Sequence, residues 1–251
     1  YVGWQEMPKK LDMMNLREYA EHRNVRSGKD YAGQDWGIVN KDNSFVRPDL
    51  LGNGTDWQDE MFSKALMTSH NLSVTGGNDK SNYAMGAGYL QQDGIAIGSG
   101  FRRLNLSGSF DSQVKEYLKM GINFAFSESK QKLTISDESL IRTALMQSPN
   151  VAVRNADGNY DGPDTDEWTQ TNPVGLAMIN DNRNEKMNIR ANTYAEATII
   201  KGLTFKTELS FDYGITNTYK FNPSYEFGAI VNETRTGAFS KSDNKYWSWR
   251  N

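Results

Sequence analysis

The chain has 251 residues and a formal net charge of −3, without the basic surplus that usually marks a nucleic-acid partner. It has no cysteine, which excludes disulfides, thiol catalysis and cysteine-ligated metals. Hydrophobic residues make up only 37% and mean hydropathy is −0.71, yet aromatics reach 12% and glycine 22 copies, a mixture that suits many half-exposed strands rather than a large buried core. No apolar run approaches the roughly 18 residues of a membrane-spanning helix. Barrel strands alternate and leave average hydropathy unremarkable, so a membrane stays open.

In chain order, alternation and β-branched or aromatic content predict strands at about 1–7, 68–76, 82–91, 101–111, 117–129, 187–200 and 203–214, with an incomplete one from about 245. The opening "YVGWQEM" and the closing "YWSWRN" read as the cut ends of a longer polypeptide. After the first strand, "NLREYAEHR" predicts a helix: Asn15 can cap it, Glu18 completes a capping box, and Leu16, Tyr19, Ala20 and Arg23 share a face. A second short helix is predicted at "DESLIRTALMQ", with Asp137 as cap and Leu140, Ile141, Ala144 and Leu145 as its stripe. In "TDWQDE" Asp56 is placed to cap a short helical turn, with Asp59 and Glu60 near its positive end.

Several predicted strands run to ten residues or more, the length of a tilted membrane crossing rather than of an ordinary globular strand. The connections alternate. Those near 76–81, 111–116 and 200–203 are tight, and those at about 8–67, 92–100, 130–186 and 215–244 are long. Outer-membrane barrels sort their turns and loops this way. In 203–214 one face reads Leu203, Phe205, Thr207, Leu209, Phe211, Tyr213, and the other carries Lys206, Glu208 and Asp212. A charge facing mid-membrane lipid costs about 2–4 kcal/mol, so the uncharged face is expected to meet lipid. The charged face, with Arg190 and Arg103 on their own strands, is expected to line a polar lumen. Alternation alone leaves a second reading: the uncharged face packs on another sheet, as in a soluble carbohydrate-binding β-sandwich. A passive porin or adhesin barrel is a third.

Three stretches carry a family resemblance: "NGTDWQDEMFSKALMTSHNLSVTGGNDKSNYAMGAGYLQQDGIAIGSGFRRLNLSGSFDSQV" (53–114), "LKMGINFAFSESK" (118–130) and "MNIRANTYAEATIIKGLTFKTELSFDYG" (187–214). "PKKLDMMNLREYAEHRN" is similar to the segment after the first barrel strand in the same family. The chain resembles the barrel of a SusC/RagA-like TonB-dependent outer-membrane transporter, less closely in 131–186 and 215–245. The resemblance implies an all-β fold. The chain would be a segment, about the first eight strands, of a 22-stranded antiparallel transmembrane barrel with helix-bearing extracellular loops. It also implies a lumen-filling plug, energy delivered through TonB, a SusD-like surface lipoprotein as lid, and an oligosaccharide or peptide as cargo. Plug and TonB box are expected to lie outside this segment, and the rest of the barrel to complete the wall in the outer membrane of a Gram-negative bacterium. No cofactor is expected.

Candidate site residues lie mainly in the loops. In "ADGNYDGPDTDEW", Asp157, Asn159 and Asp161 followed by Gly162 fit the start of a calcium loop, but its twelfth position is Trp168 and Glu167 comes one residue early. A turn accounts for the same residues, and it is the preferred reading. Trp168, with Tyr160 and Asp166 in the same loop, is the candidate cargo or lid contact. Tyr89, Tyr117, Tyr213, Trp247 and Trp249 suit the aromatic girdles of a barrel or packing in its lumen. Asp56, Asp59 and Glu60 do not form a catalytic pair. His22 and His70 are far apart with no ligand or nucleophile beside them, so an enzyme is not expected.

Overall fold

Alternate side chains on eight of the strands point to two opposite faces of one sheet. The computed structural model describes residues 1–26, 45, 47–134, 139–164 and 170–251. The elements are β1 (Val2–Gln5), α1 (Leu16–Arg26), a 3-10 turn (Pro48–Leu50), α2 (Trp57–Met61), β2 (Ala65–Asn78), β3 (Ser81–Asp93), β4 (Gly100–Lys115), β5 (Leu118–Lys132), α3 (Ser139–Met146), α4 (Pro173–Ile179), β6 (Asp181–Ile200), β7 (Leu203–Asn222), β8 (Tyr225–Phe227), β9 (Ile230–Asn232) and β10 (Thr236–Arg250). Eight strands form one antiparallel meander in the order β1-β2-β3-β4-β5-β6-β7-β10, and β8 and β9 form a separate hairpin.

The two-residue links 79–80, 116–117 and 201–202 all fall at one end of the meander, and 6–64, 94–99, 133–180 and 223–235 at the other. Each tight link has its own cause. Asn78 Oδ1 accepts from the backbone N–H of Lys80 and of Ser81, both at 2.9 Å, closing the first turn. Gly202 takes φ +88°, which a residue with a Cβ rarely adopts, and turns β6 into β7. Register shifts between Gln113 and Lys115 and between Thr198 and Ile200 place a bulge just before the 116–117 turn and another just before the 201–202 turn.

Seven of the strands run 13 to 20 residues, longer than the roughly 9–11 a membrane crossing needs. The ladders therefore continue past the predicted ends. The expected loop 130–186 shrinks to 133–180, and 215–244 shrinks to 223–235, with β10 starting at Thr236. The reason is chemical. The added stretch "DNRNEK" is polar on both faces, and in "ITNTYKFN" and "TGAFSKSDNK" polar residues interrupt the apolar side of Ile215, Tyr219, Phe221 and Phe239, so the period-two contrast weakens while backbone pairing persists.

The sheet buries almost nothing of its own. Leu72, Met85, Phe110, Ile122, Phe124, Leu209, Phe211, Trp247 and Trp249 are all exposed on it. Total accessible surface is 16669 Å², against roughly 11000 Å² for a compact monomer of this mass. Among the described residues no second sheet covers the uncharged face, which removes the sandwich reading. Register gathers that face into a belt: Val74, Met85, Gly108, Phe124, Ala191, Phe211 and Trp247 lie in one row, and Gly76, Tyr83, Phe110, Ile122, Thr193, Leu209 and Trp249 in the next.

Neighbouring residues on β5 test this division. In the full-length protein in its membrane, Phe124→Arg is expected to lose about 2–4 kcal/mol of stability and to reduce the heat-modifiable assembled band on gels. Asn123→Arg, one residue away on the other face, leaves that band near the wild-type level.

Candidate functional site

The face opposite the belt is polar from edge to edge. Across β2 to β5 it is built of small side chains: Asn71 and Ser73, Gly86 and Gly88, Asn105 and Ser107, Ala125 and Ser127. Ser127 Oγ donates to Asn105 Oδ1 at 2.9 Å. Across β6, β7 and β10 the same face becomes charged. Arg190 Nε donates to Asp212 Oδ2 at 2.8 Å, and Arg250 Nη2 to Glu208 Oε1 at 3.0 Å. Asn192 Nδ2 bridges Glu208 Oε1 and Ser210 Oγ, both at 2.8 Å. Lys206 Nζ lies 4.8 Å from the centre of the Tyr194 ring, whose hydroxyl donates to Asp111. This ladder crosses three strands and closes ion pairs without burying them. The Arg190 and Arg250 side chains stay 74% and 70% exposed, so their charge is available to whatever occupies the space before them.

The five charged residues expected to share a face do so. Register carries Arg190, Lys206, Glu208 and Asp212 through Ala125 and Lys119 of β5 to β4, where Arg103 lies opposite Ser129. Arg103 is exposed and stands in no ion pair among the described residues.

At the long-loop end a compact layer holds the only apolar cluster of buried residues found among the described residues: Trp57, Met61, Leu140, Ala144, Val151, Val174 and Ala177. Its helices are capped by their own sequences. Asn15 and Glu18 exchange side-chain-to-backbone hydrogen bonds of 3.0 Å at the start of α1. Asp56 Oδ1 accepts from Gln58 N at 2.9 Å and Asp59 N at 3.2 Å at the start of α2. "TDWQDE" is thus a structural staple. Trp57 Nε1 donates to Ser148 O at 3.0 Å inside the cluster, and Asp59 pairs with Lys10. The Gln58 amide takes both backbone groups of Leu11, at 2.8 and 2.9 Å. On α3, Leu140 and Ala144 are buried as expected, whereas Ile141 is 39% exposed. Only one turn-spaced pair reaches the cluster, because α3 meets it along a narrow edge. The cap expected at Asp137 lies outside the described residues.

Helix α4 was not legible as a helix in "NPVGLAMI". It rests on fully buried Asn172, whose Oδ1 accepts from Gly175 N while Nδ2 donates to Val153 O and Asp161 O, all at 2.9 Å. The Asn-Pro start is the signal that could have found it, since proline suits the first helical position after a capping asparagine. Gly175 is required by its neighbour: a Cβ there would stand 2.7 Å from the Phe227 ring.

Tyr160 belongs to this layer. Its ring meets Phe227 edge-on at 5.8 Å and lies 4.2 Å beneath the Arg154 guanidinium, beside the apolar cluster. Trp168 and Asp166 lie outside the described residues. Asp157, Asn159 and Asp161 stand in a turn organised by Asn155, whose Oδ1 accepts from Asp157 N at 3.1 Å and Asn159 N at 3.0 Å. Arg154 Nη1 donates to Gly158 O at 2.6 Å, and Pro163 O, the backbone oxygen that a calcium loop would turn towards its ion, instead accepts from Ala229 N at 2.8 Å. Among the described residues no cluster of three or more acidic or histidine side chains is spaced to hold a metal. A cavity of about 690 Å³ opens within the layer, walled by Met13, Met14, Met146, Asp56 and Gln58.

An antiparallel meander with sorted connections, one belted face and one polar face is the wall of an outer-membrane-type β-barrel. Relatives agree with that class. The chain is 31% identical over 182 residues to the TonB-dependent receptor P3 of Formosa agariphila, covering 68% of this chain and 18% of that protein. It is 27% identical over 240 residues to the TonB-dependent receptor P39 of the same organism, covering 94% and 22%. With the TonB-dependent receptor SusC of Bacteroides thetaiotaomicron it shares 32% identity over 135 residues, 52% of this chain and 12% of that one. The fold matches the RagAB peptide importer in its open-open state with a TM-score of 0.66 and 20% identity, over 99% of this chain and 30% of that one. No protein-family model matches the chain. The chain belongs to the SusC/RagA-like TonB-dependent transporters as a segment of their barrel. It spans about a fifth of the length of the first two curated relatives.

The loop layer should fail separately from the wall. Asn172→Ala leaves buried N–H and C=O groups unpaired, at a cost of about 2–3 kcal/mol. On intact cells the 150–180 loop is expected to become protease-sensitive while the barrel stays assembled.

Proposed function

We propose that this chain forms wall, lumen lining and extracellular loops, about the first eight strands, of an active importer in the outer membrane of a Gram-negative bacterium. The observation that carries the reading is the division of one sheet into an uncharged belt and a continuous polar face, with every long loop at the same end. The polar face lines the lumen. Its Gly, Ser, Asn and Ala block gives β2 to β5 a low relief against which a plug domain, supplied by the rest of the polypeptide, can lie closely. The charged ladder of Arg190, Asp212, Glu208 and Arg250, with Lys206 and Arg103, faces the plug or its path. The open edge of β10 must pair with further strands of the same barrel, because backbone unpaired at hydrocarbon depth is costly.

Import is energised through TonB acting on that plug, and a SusD-like surface lipoprotein closes over the loop layer. The cargo is an oligosaccharide or a peptide. The 690 Å³ cavity is of ligand size, and Trp168, Tyr160 and Asp166 are the proposed cargo or lid contacts. The chain carries no reaction of its own.

Uptake of labelled oligosaccharides and peptides by cells tests this. Removing the full-length gene, or the energy coupling through TonB, should abolish uptake of the same cargo; uptake that survives loss of TonB would make the protein a passive pore. The lipoprotein should co-purify in detergent. Trp168→Ala is expected to raise the half-saturating cargo concentration about tenfold, and Arg103→Glu to slow uptake several-fold without loss of assembled protein.

A further inference from the structure

Above the belt, on the same outward face, the chemistry changes within one register row. From Tyr83 to Tyr89, Leu104 to Phe110, Met120 to Phe126 and Met187 to Ala197 the outward residues carry no charge. Immediately beyond, towards the long-loop end, Arg102 lies opposite Lys130, and Lys132 opposite Arg183. Like charges directly across a ladder repel and are destabilising unless a counter-charge joins them. The carboxylates present answer half of the need. Glu128 takes Lys130 at 3.3 Å and Asp181 takes Arg183 at 3.0 Å. Asp93 lines the same cavity and Glu185 lies directly across the ladder from Lys130, yet Arg102 and Lys132 stand in no ion pair among the described residues. The four cations wall a cavity of about 560 Å³ beneath the 94–99 connection, and Tyr219 supports Arg183 with its ring centre 4.9 Å from the guanidinium.

We propose that this cavity, between Arg102, Lys130, Lys132 and Arg183, binds a phosphate group of an outer-leaflet lipid whose acyl chains lie on the belt below. Position selects that ligand. The cavity opens on the lipid side of the wall, at the height where hydrocarbon gives way to headgroups, so an anion held there can carry its own apolar tail onto Leu104, Leu106 and Phe126. Arginine supplies the forked donors that suit phosphate oxygens, and the lysines add point charges around them. The inference rests on the belt facing lipid, not on what the transporter carries.

The test uses the full-length transporter in non-ionic detergent, with bis-phosphorylated lipid A, dephosphorylated lipid A and inorganic phosphate as probes. Wild-type protein should retain the phosphorylated lipid, and the Arg102→Gln/Lys132→Gln double variant should bind it about thirtyfold more weakly. Lys201→Gln, in the opposite turn, should change nothing. Dephosphorylated lipid should not tell wild type from variant. With the wild type alone, added salt should weaken only the phosphorylated lipid. Undiminished lipid binding by the double variant overturns the proposal. So does saturation of the site by inorganic phosphate with no gain from acyl chains, which would make it a free-anion site. Cargo uptake by the assembled double variant should stay at the wild-type level. Lost uptake with retained lipid would assign these residues to transport, a failure distinct from that of the import reading itself.

Discussion

A backbone crossing hydrocarbon has no water to bond with, so each N–H and C=O must find its partner in the neighbouring strand. That constraint explains why this chain needs so little hydrophobic residue for its size. The ladders between β2 and β7 supply the pairing, and side chains need only answer what each face meets. One face can then be as greasy as Phe124, Phe211 and Trp247 while the other is as polar as Asn123, Ser210 and Ser248. Average hydropathy stays low because two opposite requirements are written on alternate positions. The same constraint sets the connections. A turn of two residues, as at Asp79 and Lys80, keeps the ladder intact to its last pair, Asn78 with Ser81, whereas the long links leave from strand ends that already extend past the belt.

The loop layer solves a different problem. Among the described residues its apolar cluster has seven buried members, too few to order several long connections by burial alone. Three buried amides do part of the task. Asn24 holds both backbone groups of Phe45, Gln58 holds both of Leu11, and Asn172 takes two carbonyls and an N–H. An amide side chain carries the same donor and acceptor as a peptide unit, so it can stand in for a missing neighbouring strand. Each such clamp gains about as much as an ordinary buried hydrogen bond, and its loss costs more because the abandoned groups stay buried. The layer is therefore specified by polar geometry on a small apolar base.

Much of the wall was legible in the sequence, because period two is a strong signal wherever the two faces meet different media. Leu118, Met120, Ile122, Phe124 and Phe126 of β5 emerge on one face as read. Legibility failed where the media become alike. Beyond the belt the two faces of β6 and β7 meet less different surroundings, so Asp181–Lys186 shows no contrast and Thr216–Asn222 little beyond Tyr219 and Phe221, although the ladder runs on. The capping box of α1 and the cap of α2 were readable from local chemistry. The role of Asn172 was not, because its partners Val153 and Asp161 are brought to it by the fold. Of the candidate cargo contacts, Tyr160 shows how an aromatic in a polar loop can be recruited inward: Arg154, Gly175 and Phe227 enclose its ring from distant parts of the sequence.

Charge on the lipid side of a barrel strand is often taken as evidence against the assignment, but height along the strand decides its cost. At the midplane an outward arginine loses its hydration to hydrocarbon; near the interface the penalty falls to about 0–1 kcal/mol. Arg102 and Lys132 lie at the second height, two and four register steps beyond Leu104. Desolvation there is slight, so repulsion across the ladder outweighs it, and an anion in the headgroup layer relieves that repulsion. Both the absence of charge below and its crowding above follow from one gradient, the steep fall in polarity from headgroup to hydrocarbon, sampled every second residue by the same strands.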